Sequence, residues 1–368
     1  MGNSAATAAP QVMDAPVDFL APGTVNLGFA GADKAGLDAT LALASSAESA
    51  ARAATSAGWT ALPPTRETTA AAVPAGRPGN WNGWISGASG VEAEDGSFAT
   101  FRGKPLGVVA VWSDTTVEAQ TNMDSVDNYA DFDGQMDIAV GGLVRGETWA
   151  QAAAGAFVGR WTTAISNIKA KRAGKGTTFI RIGHEFNGDW MPWGVNAANL
   201  ADYKKGYRLY AGIVRKEFPD AKLTWSPNGG NHNTLTMEQM WPGDDVVDVI
   251  GPDDYDGYPA YTDASTWNEI VNSWSNPGTP RGIGAWQKYA ARHGKPLALP
   301  EWGMQGGDHP VYIQGVHDVL AKFAAGRGGS AAGRVIYDCY FNAEDKFKLT
   351  DGDYPQAAAV YAKLSWGS

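Results

Sequence analysis

The sequence predicts one (β/α)8 barrel, an α/β fold, preceded by an N-terminal arm. Three observations point there. From Trp81 onward, short runs rich in Val, Ile and Leu alternate with segments of helical period. Eight such runs fit into residues 81–368, the length of a barrel. The polar clusters follow many different runs instead of one. A doubly wound open sheet is disfavoured, because no run ends in a GxGxxG or GxxxxGKS loop.

Residues 1–80 are biased toward Ala, Thr, Ser and Pro and show no apolar period, which reads as a low-complexity arm or linker. Within it, Gly36 to Ala57 reads as one helix, since Ala is the best helix former and Gly58 is a natural stop. Residues 81–368 form the barrel unit. Its expected strands are Trp84–Ser89, Leu106–Trp112, Met136–Gly142, Thr178–Phe186, Lys222–Asn228, Val246–Tyr255, Pro296–Gly303 and Arg334–Phe341. Helices are expected at Thr148–Lys171, Asn199–Glu217 and Gly282–His293. The stretch Ser113–Gly134 is long enough to close one end of a cleft.

Composition removes several function classes. Lys and Arg number 29 against 39 Asp and Glu, a net charge of −10, and no basic run offers a footprint for a nucleic-acid backbone. One cysteine, Cys339, rules out an internal disulfide and a thiolate zinc cluster. No run approaches the roughly 20 apolar residues of a membrane span, and the opening MGNSAATAAP lacks the basic and apolar regions of a secretory signal. Trp is unusually frequent: 15, against 13 Tyr and 12 Phe, an excess suited to core filling or to stacking on a ligand.

The densest polar cluster is RIGHEFNGDWMPWG, Arg181–Gly194, where an apolar run ends in His184 and Glu185 and enters a loop holding Trp190 and Trp193. A second carboxylate, Glu301, ends the run KPLALPE and is followed by Trp302. Two carboxylates presented from separate barrel strands are the minimum equipment for glycoside hydrolysis. The competing structural reading pairs Glu185 with Arg181 or Arg160, and Glu301 with His184 or Arg181, as buried ion pairs. Asp308, His309 and His232 lie in loops after strands, where they could touch substrate, although a loop histidine more often faces solvent. Trp112 and Tyr258 suit stacking or wall packing.

HEFNGDWMPWG resembles the HE-x-N-G-x-W-x-P-W-G signature of glycoside hydrolase family 26, the β-mannanase family among the retaining (β/α)8 hydrolases. WSPN (Trp225–Asn228), WPGDDVVDVIGPDDY (Trp241–Tyr255), KPLALPEWG and YFNAED (Tyr340–Asp345) keep that family's order. The resemblance implies Glu185 as general acid/base and Glu301 as nucleophile, with His184 binding the reacting sugar and Tyr255 holding Glu301 ionised. Trp190 would form part of the sugar platform. Asn187, Trp193, Trp302 and Asp253 complete the expected substrate-binding set, and Asp254 adds a carboxylate beside Asp253. The sequence departs from the family at Pro300 and Trp302, which flank Glu301.

The expected function is therefore a retaining endo-acting hydrolase of a β-linked polysaccharide, β-1,4-mannan first. Alternatives are a mixed-linkage β-glucan, β-1,3-xylan or bacterial exopolysaccharide hydrolase, or a noncatalytic glycan-binding barrel. The expected partner is the glycan alone, with no metal or other cofactor: five histidines, none in an HxH pair, supply too few ligands. Polymer substrates place such a protein outside the cytoplasm.

Overall fold

The computed structural model describes residues 84–367, apart from 114–115, 231, 258–259, 277, 325–330 and 344. The N-terminal arm with its expected helix, Trp81 and Tyr258 lie outside the described residues.

Each of the eight expected strands is present, with its ends shifted by one to a few residues. They are β1 (Ile85–Ser89), β2 (Val108–Trp112), β3 (Gln135–Val140), β4 (Thr178–Ile182), β5 (Lys222–Trp225), β6 (Val249–Ile250) with β7 (Asp253–Asp256), β10 (Leu297–Met304) and β11 (Val335–Phe341). β6 and β7 are two halves of one barrel strand, parted at Gly251–Pro252, and both pair with β10. All barrel pairings are parallel, and the β11–β1 and β10–β11 ladders close the ring. A closed (β/α)8 barrel results. The short antiparallel pair β8 (Trp274–Asn276) and β9 (Thr279–Pro280) was not anticipated; two or three residues are too few to show a period.

Strand alternation sorts the side chains. Val108 and Ala110 on β2, Phe179 on β4, Val249, Ala298, Tyr337 and Cys339 fill the barrel interior. Their neighbours Val109, Val111, Ile180, Leu297 and Leu299 face the helical layer. On β10 the pairing with β11 is irregular between Leu299 and Trp302. Strict alternation from Ala298 would turn Glu301 outward. The irregularity, at a Pro300 that has no N–H to give the ladder, reverses the phase beyond it, so that Glu301 faces the cleft and Trp302 the helices.

The helix expected at Thr148–Lys171 is two helices, Trp149–Ala153 and Val158–Lys171. Thr148 and Gln151 form a capping box on the first, and Gly155, at φ +85°, breaks the chain between them. The helix Leu200–Glu217 buries Tyr203, Tyr207, Tyr210, Ala211 and Val214 on one face. The described residues of the Ser113–Gly134 insert form the helix Val117–Asn122 and a 3-10 turn at Asp124–Tyr129. Both are tied to the outer helix Val158–Lys171 by Asn167 donating to the Thr121 carbonyl and by Lys171 bound to Asp127.

Candidate active site

The C-terminal ends of β4, β7 and β10 bring Glu185, Tyr255 and Glu301 together. Glu185 lies just past β4, on a turn in which Gly183 has φ +56° and Glu185 itself φ +52°. A non-glycine residue in this left-handed region is uncommon and is typical of sites where the chain is constrained for function. The Glu185 N–H donates to the Ser226 carbonyl at 2.7 Å, anchoring the turn to the end of β5. Its Oε1 accepts from Asn228 Nδ2 at 2.6 Å and its Oε2 from Trp190 Nε1 at 2.8 Å.

Glu301 has different company. Its Oε1 accepts from the Tyr255 hydroxyl at 2.6 Å, and its Oε2 from Trp112 Nε1 at 3.1 Å and from Arg181 Nη1 at 3.4 Å. Arg181 is fully buried and also donates to Asp137 Oδ1 at 2.5 Å and to both Asp253 oxygens at 3.2 Å. Asp137 and Asp253 are steadied in turn by the Tyr337 hydroxyl and by Ser226 Oγ. A charged lattice thus lies directly beneath one carboxylate and not the other.

These surroundings separate the two acids. Burial, followed by the negative charge of Glu301, pushes Glu185 up from 4.5 to about 7, against the smaller pull of Asn228 and Trp190. Burial also raises Glu301, but Arg181, Tyr255 and Trp112 all favour its ionised form. One cationic and two neutral donors hold Glu301 charged, whereas Glu185 has two neutral donors and a nearby negative charge. The proton belongs on Glu185. Burial and the Arg181 charge hold His184 well below its ordinary 6.5, so its imidazole is neutral.

One oxygen each from Glu185, Asp253 and Glu301 lie within 4.8 Å of one another. Such a triad resembles a cation site, yet Asp253 and Glu301 are already bonded to the Arg181 guanidinium, which supplies the compensating positive charge.

Several expected substrate-binding residues stand elsewhere. Trp302 is fully buried, donating from Nε1 to Asp338 at 2.9 Å in the helical layer, a consequence of the phase reversal on β10. Trp193 is 2% exposed, and its Nε1 is spent on the His184 carbonyl. Both tryptophans shape the scaffold and present no stacking face to a ligand. Asn187 is buried, donating to the Asn228 and Gly230 carbonyls and accepting from the Asn228 N–H, so it positions the loop after β5. Asp253 lies below Glu301 as a partner of Arg181. Asp254 points away toward Tyr312. Trp190 is half-buried at the mouth, and His184 lies buried beside Trp193, its Nδ1 without a hydrogen-bond partner.

Arg160 pairs with Glu147 and not with Glu185. Asp308 accepts from the Gln356 and Ala357 N–H groups at the start of a helix, and His309 bonds Asp256. Arg181 does pair with Glu301, the alternative the sequence offered beside a catalytic role, and Trp112, read as a stacking or wall residue, donates to Glu301 instead. Asn228, at the end of the expected fifth strand, is the site residue that sequence reasoning gave no role.

A closed barrel with two unequal carboxylates at its C-terminal mouth defines a class: the glycoside hydrolases built on (β/α)8 barrels. Comparison with known proteins narrows it. The model of glycosyl hydrolase family 26 matches residues 152–277. A mannan endo-1,4-beta-mannosidase of Bifidobacterium adolescentis is 32% identical over 187 residues, which are 46% of this chain and 18% of that protein. The chain thus spans less than a fifth of that relative's length. Among solved structures, the catalytic domain of the Bacillus sp. JAMB-750 GH26 endo-beta-1,4-mannanase superposes with a TM-score of 0.54 at 15% identity, over 76% of this chain and 85% of that one. A Cellulomonas fimi endo-beta-1,4-mannanase double mutant gives 0.55 at 18% identity, over 77% and 71%. The family 26 resemblance carried by the motifs is thus matched by the family model over residues 152–277 and by the likeness to the Bifidobacterium adolescentis relative.

Proposed function

We propose that the protein is an endo-β-1,4-mannanase acting by double displacement with retention of configuration. The observation that carries the mechanism is the close, unequal carboxylate pair. An oxygen-to-oxygen approach within 4.8 Å supports the retaining arrangement, in which the carboxyl groups stand about 5 to 5.5 Å apart, over the wider spacing of inverting enzymes.

Glu301, ionised, attacks the anomeric carbon as the glycosidic C–O bond breaks. Glu185 gives its proton to the departing oxygen. Esterification removes the Glu301 charge that kept Glu185 protonated, so Glu185 becomes a base, takes a proton from water, and the resulting attack on the anomeric carbon frees Glu301. Tyr255, Trp112 and Arg181 orient Glu301 and stabilise its charge on departure. Mannan as substrate is supported by what the matched relatives are named for. A polymer substrate goes with an extracytoplasmic location.

The test is to incubate the protein with β-1,4-mannan and follow the first product by NMR. Internal cleavage and a β-anomer forming first are expected; α-anomer first would sink the retaining mechanism. Glu301→Gln should lower turnover by at least about a thousandfold, since no other group replaces the nucleophile. A variant as active as the parent would remove Glu301 from its role.

A further inference from the structure

We infer that His232 is a specificity-determining residue on the leaving-group side of the cleft, where it accepts a hydrogen bond from a hydroxyl of the departing sugar. This rests on the roles proposed for Glu185 and Glu301 and adds a subsite contact to them.

The argument begins with the Asn228 amide, whose orientation is fixed. The Gly230 backbone N–H, which can only donate, lies 2.9 Å from one amide atom, so that atom is Oδ1; the Nδ2 then donates to Glu185 Oε1 at 2.6 Å. His232 Nε2 lies 2.7 Å from the same Oδ1. An acceptor there requires Nε2 to carry a hydrogen. Partial desolvation of the ring beside Trp190 lowers the imidazole from its ordinary value, so it is neutral near pH 7, and the second nitrogen, Nδ1, is then an acceptor.

Position supplies the rest. The ring of His232 stands edge-on to Trp190, with centroids 4.6 Å apart and planes at 84°. Trp190 and Asn228 both bond Glu185, while Trp112, Tyr255 and Arg181 bond Glu301. The cleft is divided: one set of side chains surrounds the group that attacks the anomeric carbon, the other the group that protonates the departing oxygen. His232 belongs to the second set and is exposed at its outer edge. A ring nitrogen there, next to a half-buried indole, fits a pyranose: apolar face to the indole, hydroxyl to the acceptor.

The test compares two substrates in steady state, a manno-oligosaccharide and an aryl β-mannobioside whose leaving group carries no sugar hydroxyl. His232→Phe keeps a ring against Trp190 but removes both nitrogens, and His232→Ala removes the ring as well. For His232→Phe, kcat/KM on the oligosaccharide should fall at least about five times more than on the aryl glycoside, as expected for one lost hydrogen bond. A loss on the oligosaccharide that comes with a shift of the alkaline limb of its pH profile would show that His232 acts only through Asn228 on Glu185, and no loss on either substrate would show no contact; both outcomes overturn the inference. If the parent protein cleaves neither substrate, it is the proposed function that fails. If the parent cleaves both, only the His232 assignment is at stake.

Discussion

At the scale of single residues the site works by inequality. Glu185 and Glu301 are the same side chain at similar depth, and what differs is who donates to them. Activity should therefore fall on the alkaline side as pH rises through about 7, where Glu185 loses the proton it must deliver, and on the acid side where Glu301 gains one. Trp112→Phe tests the assignment of limbs. It removes the donor 3.1 Å from Glu301 Oε2 and leaves Glu185's partners in place. A hydrogen bond to a charged group is worth about 1.5–3 kcal/mol, so kcat/KM should drop roughly tenfold or more. The acid limb should move to higher pH while the alkaline limb stays put. Movement of the alkaline limb alone would reverse the acid and nucleophile roles.

At the scale of elements, the ends of β4 and β10 carry the two carboxylates by different devices. After β4 the chain turns through two left-handed residues, and the first is glycine for a reason: a Cβ on Gly183 would lie 3.2 Å from Trp193 Cδ1 as well as in a disfavoured φ region. Gly183→Ala should cost about 1–2 kcal/mol from the backbone conformation alone. It should also lower turnover by displacing Glu185, readable as a reduced melting temperature together with a reduced kcat. An unchanged melting temperature would mean that the turn relaxes freely.

The same two ends show what the sequence could reveal. Both carboxylates were legible because a polar residue ending an apolar run is a local signal. The facing of Trp302 was not, because it depends on an irregularity of β10 that appears only in its pairing with the neighbouring strands. Trp193 misled likewise: its loop is legible, but the folding of its indole back onto the His184 carbonyl is a tertiary event. Arg181 stood in view inside an apolar strand. Its pairing with Glu301 was among the readings the sequence offered, but Asp137 and Asp253 come from two further barrel strands, and no spacing along one chain records that meeting.

At the scale of the whole molecule, the acid held in readiness on Glu185 has a stability cost that pH makes visible. Its folded value of about 7 exceeds the ordinary 4.5, so the native state holds the proton more tightly than the unfolded chain does. The associated stability is fully present below about pH 4.5 and is lost as pH rises through about 7. A rise of this size corresponds to a few kcal/mol at about 1.4 kcal/mol per unit, with part of it shared with Glu301 through their mutual repulsion. Glu185→Gln removes the titration. The substituted amide also sets an NH2 against Trp190 Nε1 or Asn228 Nδ2, a fixed penalty that does not depend on pH. The informative quantity is therefore the difference in melting temperature between variant and parent, followed from pH 5 to pH 8 by calorimetry. That difference should shift in favour of the variant by several degrees over the interval, whatever its value at pH 5. Parallel melting curves across the range would mean that Glu185 titrates alike in the folded and unfolded protein, leaving the alkaline limb of activity to some other group.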